Sequence, residues 1–260
     1  MNMNTSSRLH PHLQRCLSSL LTLIMFLSVT LAPGPALAWD SKSWFNPTHP
    51  THSYFTEWAI DQLDDTYPEL REFSQVLIDG ANQEMHELPI QGEEHGLNLE
   101  EARLHHKGTN EGTDDIQGWW TEALNAYQAG NKETAYFLVG IILHLVQDMG
   151  APAHANHVYH QGSPTEFDNF EFLAVSNWKP DFSQINKVDP GYSEPWQYYS
   201  FSSSWTTEDM PNYKDRDSYS KFWLTASDEE KRLLVSRQAR TCAVSEWTLR
   251  AAEKMFIEQA

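Results

Sequence analysis

The sequence predicts an all-α protein, a single compact multi-helix domain that follows an N-terminal targeting segment. No stretch of the chain alternates apolar and polar residues in the way that is typical of strands, and there is no internal repeat. Apolar residues instead recur at helical spacing. The most apolar segment of the domain, from Tyr136 to His154, is typical of a helix buried in a core.

Residues 1–38 have the composition of a secretory signal peptide rather than of a folded element. Two arginines precede an apolar core at 17–31, and an A-x-A cleavage signature ends at Ala38. The apolar core is short and contains serine and threonine, which argues against the alternative of an uncleaved membrane anchor. We therefore expect an exported protein, secreted or periplasmic. Its mature domain, residues 39–260, would begin at Trp39 and have no transmembrane segment.

Cysteine and charge content limit the possible functions. Cys16 would leave with the signal peptide, so Cys242 would stand alone and the exported protein would have no internal disulfide. The chain carries 18 basic against 36 acidic residues, a formal net charge of −18, and loss of the two arginines makes the mature chain more acidic still. Such a surface repels phosphate polymers and anionic lipid, so we expect no nucleic-acid partner.

Two helices are expected at the start of the domain. The first, roughly residues 53–64, has one apolar side and would be capped by Thr51 or Ser53. The second follows a proline and runs over about 69–78, where Asp79-Gly80 would end it. The next segment, up to Gly112, is polar and irregular, with four histidines and many acids. A segment of this length is usually functional or disordered, and we expect a short helix near its residues 99–104.

Three further helical stretches are expected besides the central one. The last, from Ser227 to Ile257, carries regularly spaced apolar residues, and the acidic residues 228–230 favour its start. Residues 176–218 are rich in proline, serine and aromatics with little periodicity, and we expect them to be irregular. The other expected helices are 115–129, closed by Gly130-Asn131, and one near 165–173.

The central segment combines an apolar run with an ionisable pair. Phe137 to Leu143 is almost wholly apolar, so the helix is expected to lie inside the core. His144 and Asp148 are four residues apart, which places both side chains on one face of a helix. A glycine and a proline then end the helix before His154.

An ionisable pair at the end of a buried helix is costly unless something compensates its charge. Neutral histidine and ionised aspartate are both good zinc ligands, so a zinc ion at this end of the central helix would provide the compensation. Clustering of histidine supports this interpretation, because ten of the twelve histidines fall between His49 and His160. The alternative is a His144–Asp148 hydrogen bond with a purely structural role.

The mature chain resembles the zinc-dependent phospholipase C family, whose superfamily also holds the single-strand-specific zinc nucleases. The residues HLVQDMGAPAH, from His144 to His154, are close to the family's central motif, in which two histidines and Asp148 bind metal. Trp39 stands where the family's N-terminal residue binds zinc through its amino group and carbonyl. His52 follows thirteen residues later, at the family's spacing.

The resemblance covers about residues 39–175 and implies a cluster of two or three zinc ions at one end of the central helix. His105 keeps the family's spacing to a glycine, and His106 occupies the place of an aromatic residue. Glu171 stands in an aromatic-Glu segment that ends the family pattern. These positions imply that His105 and Glu171 are metal ligands.

Two positions depart from the family pattern, and each leaves an alternative open. The acidic ligand expected ahead of His105 would be Glu84, with Asp79 as the alternative. Phe167 occupies the place of a histidine expected before the last glutamate, so the ligand there would be His160 or His157. The full set of implied metal ligands is Trp39, His52, Glu84, His105, His144, Asp148, His154, His160 and Glu171.

The resemblance implies a secreted zinc-dependent phosphodiesterase of the phospholipase C type, which hydrolyses phospholipid to diacylglycerol and phosphorylated headgroup through a zinc-activated water. Its implied catalytic residues are Asp148, which binds or bridges zinc, and Glu84, which orients the water or takes its proton. Aromatic residues between Trp178 and Trp205 could wall a headgroup site or be ordinary packing residues.

The amino-acid sequence leaves two alternatives to a phospholipase C open. One is a zinc nuclease of the same superfamily, and the other is a non-catalytic exported zinc-binding protein. For the phospholipase C interpretation we expect a monomer with a phospholipid substrate, which could be met at a membrane surface.

Overall fold

The computed structural model describes residues 51–82, 112–156, 158, 170, 180–209 and 215–259. Within these ranges the chain is mostly helical and contains no strand, so the predicted all-α class is confirmed for them. Every described residue belongs to one compact unit, Leu37–Ala260.

The described helices agree with most of the predicted ones to within a few residues. The predicted helix over 69–78 is instead two short helices, because the chain leaves helical geometry at Phe73. In chain order the helices are α1 (Thr51–Leu63), α2 (Pro68–Glu72), α3 (Ser74–Ala81), α4 (Gly112–Gln128), α5 (Lys132–Asp148), α6 (Pro152–Ala155), α7 (Gln197–Asp209), α8 (Arg216–Thr225), α9 (Asp228–Ser236) and α10 (Ala239–Gln259), with a 3₁₀ turn at Phe182–Gln184.

Helix α5 is the predicted central helix, and it is buried on all sides over its second half. Asn131 caps its start by accepting a hydrogen bond from the Thr134 amide. Every residue from Leu138 to Asp148 is buried. Helices α1, α3, α4, α7 and α10 pack against α5, so its buried half lies within the core as the apolar run predicts.

Helices α3 and α5 cross in direct backbone contact because each has a glycine at the crossing point. A Cβ atom at Gly140 would lie 2.9 Å from both the Ala81 amide nitrogen and the Gly80 Cα, and would collide with the Leu77 carbonyl. The expectation that Asp79-Gly80 ends the helix is therefore wrong. Gly80 lies inside α3, where close packing against α5 requires it, and α3 continues to Ala81.

The C-terminal helix α10 completes the core with aromatic contacts. Trp247 stacks on Trp205 of α7 with ring centroids 5.9 Å apart, and Phe256 stacks on Tyr127 of α4 at 4.1 Å. Ring pairs of this kind contribute about 0.5–1.5 kcal/mol beyond the area that they bury. They tie α10 to two separate parts of the chain.

The expectation of irregular structure over residues 176–218 is wrong in its second half, where α7 and the start of α8 are helical. Helix α7 has the sequence QYYSFSSSWTTED, which has little helical periodicity and many residues of modest helix propensity. It is helical because Tyr198, Tyr199 and Trp205 are buried against neighbouring helices. The tertiary contacts outweigh the weak local preference.

The predicted helix from Ser227 to Ile257 is two helices. Its predicted start is confirmed, since Ser227 and Glu230 form a reciprocal capping box at the beginning of α9. The chain then leaves helical geometry after Ser236, and α10 begins at Ala239. Cys242 of α10 is a free and buried thiol whose pKa is raised by burial.

Some predictions concern residues outside the described ranges. The short helix near 99–104 is one of these, and of the helix near 165–173 the structure describes Phe170 alone, which is helical. In the described part of the chain no helix combines the length and the apolar character that crossing a membrane would require.

Candidate metal centre

Three of the predicted ligands meet at the C-terminal end of α5. Helix α1 packs against α3, α5 and α10, and this places His52, its second residue, in the core. The ring of His52 stacks on that of His144, with centroids 4.3 Å apart and planes 23° from parallel. Asp148 lies one turn further along α5, and all three side chains are 0 % exposed.

The potential ligand atoms of this group converge on a small space. His52 Nε2 lies 3.5 Å from Asp148 Oδ1, and His144 Nε2 lies 3.4 Å from Asp148 Oδ2. One nitrogen or oxygen from each of the three residues lies within 4.8 Å of the other two. The carboxylate therefore faces both imidazoles, one oxygen to each.

The second nitrogen of His144 is occupied by the backbone of α3. His144 Nδ1 lies 2.9 Å from the carbonyl oxygen of Ala81, and a carbonyl can only accept a hydrogen bond. Nδ1 therefore carries the proton and donates it, which leaves Nε2 as the atom directed at Asp148. The contact depends on the Gly80–Gly140 crossing, because close backbone approach brings the last turn of α3 onto α5.

The second nitrogen of His52 faces a side chain of α5. His52 Nδ1 lies 2.7 Å from Gln147 Oε1, and Gln147 is itself fully buried. The Gln147 Nε2 atom donates to the hydroxyls of Thr56 on α1 and Ser245 on α10, at 3.1 and 3.2 Å. Both imidazoles thus have one nitrogen held by a protein oxygen and the other facing the carboxylate.

Tyr199 of α7 is electrostatically coupled to the group. Burial raises the pKa of Tyr199 to about 12, and the negative charge of Asp148 contributes to the rise. The phenol therefore stays protonated at neutral pH. Helix α7, which carries this hydroxyl, packs against both α5 and α6.

The spacing of these atoms would suit a metal ion such as zinc. A tetrahedral zinc ion with ligand bonds of about 2.0–2.1 Å separates its ligand atoms by about 3.3 Å. The two nitrogen–oxygen separations of 3.5 and 3.4 Å agree with that value. His52 and His144 would each supply a nitrogen ligand to such an ion, and Asp148 would supply a carboxylate oxygen.

The remaining predicted ligands divide into described residues and residues outside the described ranges. His154 is buried in α6 but does not belong to the three-residue group. Asp79, the alternative to Glu84, is exposed on α3, accepts a hydrogen bond from Gln75 at 2.9 Å and does not belong to the three-residue group. Outside the described ranges lie Trp39, Glu84, His105, His157, His160 and Glu171.

Sequence reasoning missed the residues that hold the imidazoles. Gln147 carried a usable signal, because it is a polar residue next to Asp148 in an otherwise apolar helix. Nothing in the sequence indicated the role of the Ala81 carbonyl or of the Ser245 hydroxyl. Their role arises from contacts between segments that are far apart in the chain.

No protein-family model, curated protein or solved structure gives a significant match to the chain. The resemblance of the central motif to zinc-dependent phospholipases C therefore stays a prediction.

Proposed function

We propose that His52, His144 and Asp148 bind zinc and that the protein is an exported zinc-dependent phosphodiesterase of the phospholipase C type. The observation that carries the proposal is one fully buried carboxylate placed between two fully buried imidazoles. The alternative is a structural arrangement held by ordinary hydrogen bonds or ion pairs.

The nitrogen–oxygen separations argue against that alternative. Hydrogen bonds between an imidazolium and a carboxylate are about 2.7–2.9 Å long. The two nitrogen–oxygen distances at Asp148 are longer, at 3.4 and 3.5 Å. Two imidazolium rings stacked with centroids 4.3 Å apart would also repel each other in a buried site. Neutral imidazoles with a cation between them and the carboxylate fit both observations.

The donor set favours zinc among the common cations. Two imidazole nitrogens and a carboxylate suit zinc, whereas calcium and magnesium prefer sites built from oxygen. Asp148 supplies the negative charge that a buried divalent ion needs, and the Ala81 carbonyl and Gln147 hold the imidazole rings in place. Further ligands would come from the predicted residues outside the described ranges.

The chemistry of zinc and the charge of the chain support the proposed reaction class. Zinc supplies a Lewis acid that generates a nucleophile from water near neutral pH and stabilises charge on a phosphoryl group. The protonated hydroxyl of Tyr199 is a hydrogen-bond donor on the side of α7, where an anionic oxygen of a substrate could accept it. A net charge of −18 disfavours a polyanion and favours a phosphodiester with one negative charge, such as a phospholipid.

The proposal is tested on the mature chain, prepared to begin at Trp39, by counting bound zinc and assaying two substrates. We expect at least one zinc per chain and release of phosphorylated headgroup from phosphatidylcholine. Hydrolysis of single-stranded DNA alone would instead support a nuclease. Zinc with neither activity would mean a non-catalytic zinc protein, and a chain that binds no zinc would overturn the proposal.

A further inference from the structure

The geometry points to Gln147 as the positioning residue of His52, held in the correct orientation by the C-terminal helix α10. Gln147 lies next to Asp148 in the chain, and its amide contacts three side chains, two on α1 and one on α10. The inference rests on the proposed zinc site, because it concerns how one ligand of that site is prepared.

The orientation of the Gln147 amide follows from Ser245. The Ser245 hydroxyl donates to the carbonyl of Thr241 in its own helix, at 2.7 Å. A serine hydroxyl has one hydrogen, so Ser245 Oγ can only accept from Gln147. The amide atom that faces Ser245 must therefore be the nitrogen, and the amide oxygen is left to face His52.

This orientation selects one tautomer of His52. Since the Gln147 oxygen accepts at 2.7 Å, the His52 Nδ1 atom must carry the proton, and Nε2 keeps the lone pair that a metal ion needs. An amide turned the other way would present its NH₂ group to Nδ1. The proton would then move to Nε2, where it would face Asp148 and block metal binding.

The two histidines are prepared in different ways. The partner of His144 is a backbone carbonyl, which accepts in any orientation of the side chains. The partner of His52 is a side-chain amide, which can rotate, and contacts on α1 and α10 determine its rotation. In this arrangement α10 contributes to the zinc site through Ser245 without supplying a ligand, and Gln147 passes that contribution to His52.

The experiment compares Gln147→Leu, Ser245→Ala and Thr248→Val with the wild-type chain. Thr248 is the matched control, since it is buried on α10 and its hydroxyl donates to Val244 within the helix. The first measurement is the His52 tautomer in the metal-free protein, by nitrogen-15 NMR in alkaline buffer where imidazole is neutral. The second is zinc affinity, by competition with a chelator.

We expect wild type and Thr248→Val to hold the proton on His52 Nδ1 and to bind zinc with affinities within about twofold of each other. Gln147→Leu removes the acceptor, so Nε2–H becomes populated and zinc affinity falls by roughly 10–100-fold. Ser245→Ala leaves the acceptor but frees the amide to rotate, so we expect a mixed tautomer and a fall of about threefold to tenfold.

A proton on Nε2 in the wild-type chain would overturn the inference. So would unchanged tautomer and zinc affinity in both Gln147→Leu and Ser245→Ala. If Gln147→Leu does not fold, the tautomer and zinc affinity of Ser245→Ala test the inference, because that substitution removes a single hydroxyl and should leave the fold intact. A wild-type chain that binds no zinc would contradict the proposed function. The NMR measurement would still show whether Gln147 determines the tautomer of His52.

Discussion

Asp148 is the residue on which the candidate site depends most directly. Its carboxylate is fully buried and faces an imidazole nitrogen with each oxygen. A buried carboxylate between two neutral rings is unfavourable by itself, and a bound cation makes it favourable. The side chain should therefore behave differently in metal-loaded and metal-free protein.

Asp148→Asn keeps the shape of the side chain and removes its charge. We expect the variant to lose most of its zinc and, in the presence of zinc, to melt below wild type. A ligand at 100 times its Kd stabilises a protein by about 2.7 kcal/mol. For a domain of this size, the corresponding Tm shift is roughly 5–10 °C.

The same melting curves in chelator provide the decisive comparison. Without metal the Asn variant should be as stable as wild type or more stable, because a buried charge has been removed. Asp65→Asn, at an exposed position in the turn after α1, serves as the control and should keep its zinc. A Tm loss of equal size with and without zinc would mean that Asp148 has a structural role.

At the scale of the elements, the crossing of α3 and α5 controls the site. Gly80 and Gly140 bring the two backbones into contact, and the next residue of α3 then supplies the carbonyl that holds His144. His144 is one turn beyond Gly140 on the same face of α5. The crossing of α3 and α5 therefore determines both the packing at Gly80 and Gly140 and the orientation of the His144 ring.

Gly140→Ala tests this connection. The new methyl group meets the backbone of α3, so the helices must separate, and we expect a loss of about 1–3 kcal/mol in unfolding free energy. Zinc affinity should fall as well, because the Ala81 carbonyl moves away from His144. Urea denaturation and zinc titration measure the two effects.

Gly118 of α4 is the matched control for that substitution. A Cβ atom there would meet no atom within 4 Å, so Gly118→Ala should stabilise the protein by up to about 1 kcal/mol and leave zinc binding unchanged. Equal effects of the two substitutions would show that the crossing is not as tight as described.

At the scale of the whole molecule, a partly buried polar cluster joins four helices at some distance along α5 from the candidate metal site. Glu69 of α2 accepts hydrogen bonds from Tyr127 of α4 at 2.9 Å and from Tyr136 of α5 at 3.2 Å, and it pairs with Lys132. Tyr136 also interacts electrostatically with Glu253 of α10. Burial raises the pKa of Glu253 to about 7, and the charge of Glu69 adds to the rise.

This shift makes stability depend on pH. The folded protein favours protonated Glu253, so the stabilising contribution is complete below the ordinary pKa of 4.5 and is lost as pH rises through about 7. Glu253→Gln removes the charge and nearly preserves the shape of the side chain. In metal-free protein we expect the variant to have a higher Tm than wild type at pH 8 and a similar Tm at pH 5.

Thermal melts at the two pH values measure this difference. Glu258→Gln, an exposed position on the same helix, is the control and should shift Tm little at either pH. An advantage of Glu253→Gln that does not change between pH 5 and pH 8 would mean that Glu253 does not titrate in this range.

The sequence by itself determined the features that depend on local spacing. The apolar run before His144 is long enough to require a buried helix, and a separation of four residues places Asp148 on the same face. The capping residues at Ser227 likewise specify a helix start within one turn. Such features follow from helical geometry alone, so they could be predicted without knowing the fold.

Tertiary structure decided which distant residues meet at that face. His52 could be proposed from a family resemblance, but its contact with His144 exists because α1 packs against α3, α5 and α10. The orientation of Gln147 depends on a serine of α10, and α7 is helical because its aromatic side chains are buried. These outcomes depend on packing free energy summed over several helices, which no local pattern contains.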